Sequence, residues 1–308
     1  MMREPTAIGI DIGGTTISVG LVGESGSIAG RVVFPTEPER GFAQAMEKVA
    51  RAIDGILVSA GCRRDEFVGV GIGCAGPVNP VTGTIHNPFT LPGWEGANPV
   101  RILEEEFSVP AYLENDADAA VLGEAHAGAA RSLREVVMLT FGTGVGGGAL
   151  VGGRVYRGVN GEHPEIGHIL VAPDGPECYC GMRGCLESVA SGTAFAKAGR
   201  AEGFADAAEV FEKARAGDAR ASPMVDRAVS AVASAFWTIL HTFMPQKVVF
   251  GGGLMQGQFE VFAPSLRERA LLAERAWGQR FALSRAELAN DAGIVGAAFR
   301  ALRGDELG

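Results

Sequence analysis

The sequence predicts an α/β protein of two domains built on a shared plan. Three observations carry that expectation. The chain has 308 residues, about two domains' worth at ~100–200 residues each. A strand, glycine turn and strand open the chain at 7–22, and the same theme returns at 136–156. Elsewhere, stretches of helical period alternate with short apolar runs, the pattern of strands covered by helices.

Ala7–Ile12 and Ser18–Val22 are apolar runs separated by GGTT, with Gly30–Phe34 as a third strand of an antiparallel meander. Residues 41–60 place Phe42, Met46, Val49, Ile53, Ile56 and Leu57 on one helical face. A strand at Phe67–Ile72 follows, then a loop rich in glycine and proline from 73 to 99. A short helix near 100–107 and a strand at 109–113 lead to Asn115-Asp116, a helix start with capping side chains at its head. The second half opens with a strand at Val136–Phe141, the turn GTGVGGG and a strand at Ala149–Val151. Residues 188–245 read as helical, and Lys247–Phe250 is a strand entering Gly251-Gly252-Gly253. A helix at 264–277, a strand at 281–284 and a closing helix at 291–302 complete the pattern.

Lys and Arg number 27 against 36 Asp and Glu, a net charge of −9 that argues against a nucleic-acid partner. Asp11 interrupts the first apolar run, so no signal peptide is expected. The longest uncharged stretches carry glycines or His241 rather than a lipid-facing pattern, so no membrane partner is expected either. Five cysteines, an odd number, do not suggest a disulfide framework, and a cytoplasmic location is expected.

GxGxxG occurs at Gly71-Gly73-Gly76 and at Gly142-Gly144-Gly147, but neither copy leads into a helix, so a dinucleotide fold is not expected. No GxxxxGK[ST] is present. The two glycine turns instead offer backbone N–H groups as an anion nest, and Asp11 beside Gly13-Gly14-Thr15 could hold a hydrated Mg²⁺ against phosphates. Asp116 reads either as a helix cap or as a general base at a domain junction.

The segment 163–187 carries the most specific chemistry. His168, Cys178, Cys180 and Cys185 form a tetrahedral zinc set with no open position, so the metal would be structural. His163 is the competing ligand. A nucleobase deaminase, HxE followed by PCxxC, is disfavoured because the cysteines are C-x-C and a fourth protein ligand excludes the catalytic water.

Taken in order, DIGGTT at 11–16, GIGCAGPVN at 71–79, ENDADAA at 114–120, FGTGVGGG at 141–148, EIGH at 165–168, CYCGMRGCLE at 178–187 and VVFGGG at 248–253 resemble the ROK family of sugar kinases and related repressors. The resemblance implies an actin-like ATPase (ribonuclease H-like) fold, two α/β domains flanking a cleft. The expected division is 1–118 plus 291–308 against a larger 119–290 holding the zinc loop. It implies Asp116 as catalytic base and Gly76, Asn87, Asn115, Asp116, Glu165, His168 and Glu187 as sugar contacts. It implies ATP phosphate contacts at Asp11, Gly13, Gly14, Thr15 and Thr16 and at Gly142, Thr143, Gly144, Gly146 and Gly147, with adenosine near Gly251 and Gly252.

The sequence departs from the family pattern in three places. Thr16 stands where the family usually has Lys; Thr90 takes an Asn place, with Asn87 as its possible substitute; and His163-Pro164 is more like the fructokinase branch. The implied activity is ATP-dependent phosphorylation of a hexose 6-hydroxyl, glucose first, with fructose, mannose or an N-acetylhexosamine as alternatives. A sugar-sensing regulator is the alternative of another class, and only eight residues precede Gly9, too few for a DNA-binding helix-turn-helix. A homodimer is implied as well.

Overall fold

A computed structural model describes residues 4–304, and the chain divides into two compact units. The first comprises residues 1–134, 148–164 and 290–308; the second comprises 135–147 and 165–289.

In the first unit, β1 (Thr6–Ile12), β2 (Thr16–Gly23) and β3 (Ile28–Pro35) form the expected antiparallel meander. α1 (Phe42–Ala60) buries Met46, Val49, Ile53, Ile56 and Leu57, five of the six residues on its foreseen stripe. β4 (Phe67–Cys74) is followed by the two-residue strands β5 (Val78–Asn79) and β6 (Thr84–Ile85), then α2 (Pro99–Phe107). β7 (Ala111–Asn115) runs directly into α3 (Asp116–Ala127). The sheet order is β3-β2-β1-β4-β7, with β4 parallel to both β1 and β7. α9 (Ala292–Arg303) packs on this sheet at glycines: a Cβ at Gly71 would lie 1.7 Å from the Ala297 carbonyl oxygen, and one at Gly9 2.0 Å from that of Ile294. Those glycines therefore admit a helix backbone, not a pyrophosphate.

β8 (Val136–Phe141) is followed by β9 (Val145–Val151), within which the division between the units falls, and by β10 (Arg154–Val155). The remaining elements belong to the second unit: α4 (Leu186–Ala190), α5 (Gly192–Ala201), α6 (Ala207–Arg215), α7 (Ala221–Phe243), β11 (Lys247–Gly251), α8 (Gly252–Trp277) and β12 (Ala282–Arg285). The second sheet has the order β10-β9-β8-β11-β12, with β11 parallel to β8 and β12.

Several boundaries differ from the sequence reading. The strand expected at 109–113 runs from 111 to 115, because the backbone stays extended until Asn115 caps α3. The strand expected at 149–151 begins at Val145, so Gly146 and Gly147 lie within β9 instead of in a turn. At Gly147 a Cβ would meet Ile166 and the Met138 carbonyl at 3.0 Å, so close packing accounts for the glycine. The helix expected at 264–277 starts at Gly252 and carries Pro264 in its interior. Burial of Met255, Phe259, Phe262, Ala263 and Leu266 on one side outweighs the carbonyl contact that Pro264 disrupts. The units also divide elsewhere than at residue 118, because α3 packs along α9 and so stays with the first. Among the described residues no helix is long and apolar enough to cross a membrane.

Candidate active site

In the first unit, Asp11 is the penultimate residue of β1 and the Gly13–Thr15 turn follows the strand, with the Gly13 N–H donating to the Thr16 carbonyl at 2.9 Å. Thr36 anchors this turn: its hydroxyl donates to the Gly13 carbonyl at 2.7 Å and its N–H to the Thr15 carbonyl at 3.0 Å. Thr15 and Thr16 are exposed. Burial, then the charge of Asp116, pushes the Asp11 carboxyl up to about 7, against the opposing pull of Arg31.

Asp116 is the first residue of α3, set by parallel pairing of β7 with β4. Asn115 caps the helix, its Oδ1 accepting from the Ala117 N–H at 2.8 Å, and Asp116 Oδ1 accepts from the same N–H at 2.8 Å. The cap reading thus falls to Asn115, and Asp116 stands beside it at the helix start. Gly76 lies against Asn115, since a Cβ there would come within 2.6 Å of Asn115 Nδ2 and 3.6 Å of His163 Nε2. His163 therefore stands with the Asn115 group, and the metal-type cluster takes His168 instead.

Asn87 is 1% exposed, and the loop uses all of its hydrogen-bonding capacity. Its Oδ1 accepts from the N–H groups of Phe89 and Thr90 at 3.0 Å each, while its Nδ2 donates to the Ala75 carbonyl at 3.0 Å and to Thr90 Oγ1 at 2.5 Å. That geometry makes Asn87 a loop-shaping residue, and no capacity is left for the sugar contact expected of it.

Behind Asp116 lies a charged cluster that sequence reasoning missed. Glu114, 1% exposed, accepts from Arg157 Nη2 and from Arg300 Nε, the latter at 2.8 Å. Asp118 is fully buried with Arg157 Nη1 at 3.7 Å. Glu114 and Asp118 lay inside the quoted ENDADAA motif, but Arg157 and Arg300 carried no signal, being single arginines far away in sequence.

In the second unit, Gly142–Gly144 forms the turn, with the Gly142 N–H donating to the Gly144 carbonyl at 2.9 Å. A cavity of about 510 Å³ opens beside it, lined by Gly142, Thr143, Thr193, Ala208, Phe211 and Leu254 among others. The start of α5 joins the turn directly, through Gly192 N–H to the Gly142 carbonyl at 2.8 Å. Gly253 also lines the cavity; Gly251 and Gly252 do not, being the cap and first residue of α8. Thr193, Ala208 and Phe211 escaped the sequence reading because they sit within an ordinary helical stretch.

His168, Cys178, Cys180 and Cys185 bring one ligand atom each within 4.8 Å of one another. Cys180 Sγ lies 3.6 Å from Cys185 Sγ, and Cys178 Sγ 3.5 Å from His168 Nδ1. A tetrahedron with Zn–S bonds of ~2.3 Å has edges of roughly 3.8 Å, so these spacings fit zinc. Burial, then the neighbouring Cys180 and Cys178, pushes the Cys185 thiol up to about 12. Glu187, two residues on, reaches the turn: its Oε2 accepts from the Val145 N–H at 2.8 Å, where a Cβ on Gly144 would come within 2.3 Å. The other ring nitrogen of His168, Nε2, faces Tyr179 Oη at 3.1 Å and Glu165 Oε2 at 3.9 Å.

The model of the ROK family matches residues 7–303. A glucokinase of Thermotoga maritima is 38% identical over 315 residues, covering 96% of this chain and 97% of its own. An N-acetylmannosamine kinase of Escherichia coli O139:H28 is 33% identical over 305 residues, covering 98% and 100%. Among solved structures, the ROK hexokinase from Thermus thermophilus matches with a TM-score of 0.84 at 36% identity, covering 96% of this chain and 98% of that one. A ROK family glucokinase from Streptomyces griseus, in complex with glucose and AMPPNP, matches with a TM-score of 0.77 at 29% identity, covering 97% and 100%.

Proposed function

The chain belongs to the ROK family, and from that premise we propose that this actin-like α/β protein is an ATP-dependent kinase acting on the 6-hydroxyl of glucose. The observation that carries this reading is Asp116: a carboxylate on the first turn of a helix, at the end of a parallel strand, with its neighbour Asn115 serving as cap. In this reading Asp116 accepts the proton of the attacking hydroxyl. Asn115, Gly76, Glu165, His168 and Glu187 orient the sugar.

The turn at 13–16 and the turn at 142–144 meet the phosphates through backbone N–H groups and the hydroxyls of Thr15, Thr16 and Thr143. The cavity beside Thr143 takes the adenosine, its Phe211 and Leu254 surfaces suiting a purine. Mg²⁺ arrives with ATP as part of that substrate, and ionised Asp11 holds its hydration shell. Transfer then rests on positioning and charge neutralisation. Zn²⁺ on His168, Cys178, Cys180 and Cys185 supplies only rigidity to the loop that carries Glu187.

Glucose is preferred over the N-acetylated alternative because the glucokinase relative has the higher identity and no acetamido pocket is evident in the 165–187 sequence. A panel of hexoses with Mg²⁺-ATP in a coupled ADP assay tests this. Glucose should show the highest kcat/KM, with N-acetylmannosamine at least ~100-fold poorer, about 2.8 kcal/mol. Fructose, mannose or N-acetylmannosamine outrunning glucose would overturn the sugar while leaving the kinase. No ADP release with any hexose would overturn the activity.

A further inference from the structure

The residues two places before and two places after Asp116 are both buried acids, and a single arginine touches both. Arg157, on the segment following β10, donates through Nη2 to Glu114 Oε2 and sets Nη1 at 3.7 Å from Asp118 Oδ2. Its side chain is 18% exposed, whereas those of Glu114 and Asp118 are 1% and 0%. Glu114 has a second cation, Arg300, which donates from α9 at 2.8 Å and lies 4.3 Å over the Tyr112 ring. Asp118 has no such support. Neither of its oxygens has a hydrogen-bond partner among the described residues, so the charges of His163 and Arg157 are what offset its burial.

We propose that Arg157 is a positioning residue for the base, bridging the two acids that flank Asp116 so as to fix the strand-to-helix junction and set the charge of the Asp116–Asp118 pair. This rests on the reading of Asp116 as the base. Asp118 is wholly buried and Asp116 half-buried, and the charge of Asp116 raises the proton affinity of Asp118. The groups facing this pair are Glu114 on β7, Arg157 and His163 on the segment after β10, Arg300 on α9 behind Glu114, Asp11 on β1 and the buried Cys74 thiol on β4. Burial and the negative neighbours Glu114 and Asp116 push Asp118 up to about 7, while His163 and Arg157 pull it down.

The consequence is a pair of opposite signs. Removing the Arg157 charge makes every proton bind the pair more tightly, so the base is lost to protonation at a higher pH. Removing the Asp118 carboxyl takes a negative neighbour from Asp116 over the pH range in which Asp118 is ionised, so there the base survives to a lower pH. A part that only braces the fold would move neither limb, or would depress activity equally at all pH values.

The test is the pH profile of kcat/KM for sugar in the full-length protein with Mg²⁺-ATP. Arg157→Gln should move the acid limb up by about one pH unit, a loss of roughly tenfold at the foot of the limb relative to its own alkaline plateau. Arg157→Lys should restore at least half of that displacement. Asp118→Asn, nearly isosteric and foldable where Arg157→Gln is not, should move the limb down. Shifts of the same sign in the two variants, or limbs that stay in place, overturn the proposal. Asp116→Asn separates the premise: if that variant keeps its turnover, the base assignment has failed, whereas if it loses turnover and the limbs stay in place, only the role of Arg157 has.

Discussion

Glu187 and Val145 are joined by one hydrogen bond, from the Val145 N–H to Glu187 Oε2 at 2.8 Å. Through it, the loop carrying Cys185 holds the glycine turn at 142–144. A group that shapes the cysteine loop therefore also shapes the turn. The protein as purified should contain about one zinc per chain, measured by elemental analysis after gel filtration. Cys180→Ser and His168→Ala should release it, and His163→Ala should not. The metal-depleted protein should show a raised sugar KM together with a lower kcat, because Glu187 loses its place rather than its chemistry. Zinc retained by His168→Ala but lost from His163→Ala would reverse the ligand choice.

Asp116→Asn should keep the fold and lower kcat by about 10²–10⁴, the usual scale for a positioned general base. The amide can still accept from the Ala117 N–H, so helix α3 keeps its start. Circular dichroism and steady-state kinetics on the same sample distinguish a lost base from a lost cap. Near-normal turnover would reduce Asp116 to a helix-start residue.

Nucleotide affinity should weaken in acid. Asp11 is pushed up to about 7 by burial and by Asp116, so it is neutral below that pH and negative above it. A neutral carboxyl does not hold a hydrated cation. From pH 8 to pH 6 the KM for Mg²⁺-ATP should therefore rise by up to about tenfold. The comparison is with Asp11→Asn, which shares the nucleotide's own titration but lacks this one. Parallel profiles for the two proteins would remove Asp11 from nucleotide binding.

Gly71→Ala should destabilise the fold by about 3 kcal/mol, the upper end for an added methyl in a packed core. The new Cβ would sit 1.7 Å from the Ala297 carbonyl oxygen, forcing α9 off the sheet. Thermal unfolding measures it. An unchanged Tm would mean that the helix yields easily at this point.

The sequence by itself determined the meander, the amphipathic face of α1, the Cys/His ligand set and the strand-to-helix placement of Asp116. Each of these is written in residues close together along the chain: a period of two or 3.6, or ligands within eighteen positions from His168 to Cys185. The tertiary structure decided the rest. Only packing shows that Gly71 admits α9 and that Asn87 is consumed by its own loop. Only packing extends α8 back through Pro264, because a buried apolar face outweighs a local helix breaker. The arginines behind the base are the clearest case. Arg157 and Arg300 reach Glu114 from 43 and 186 residues away, and a charge pair acts through distance in space, which residue order does not record.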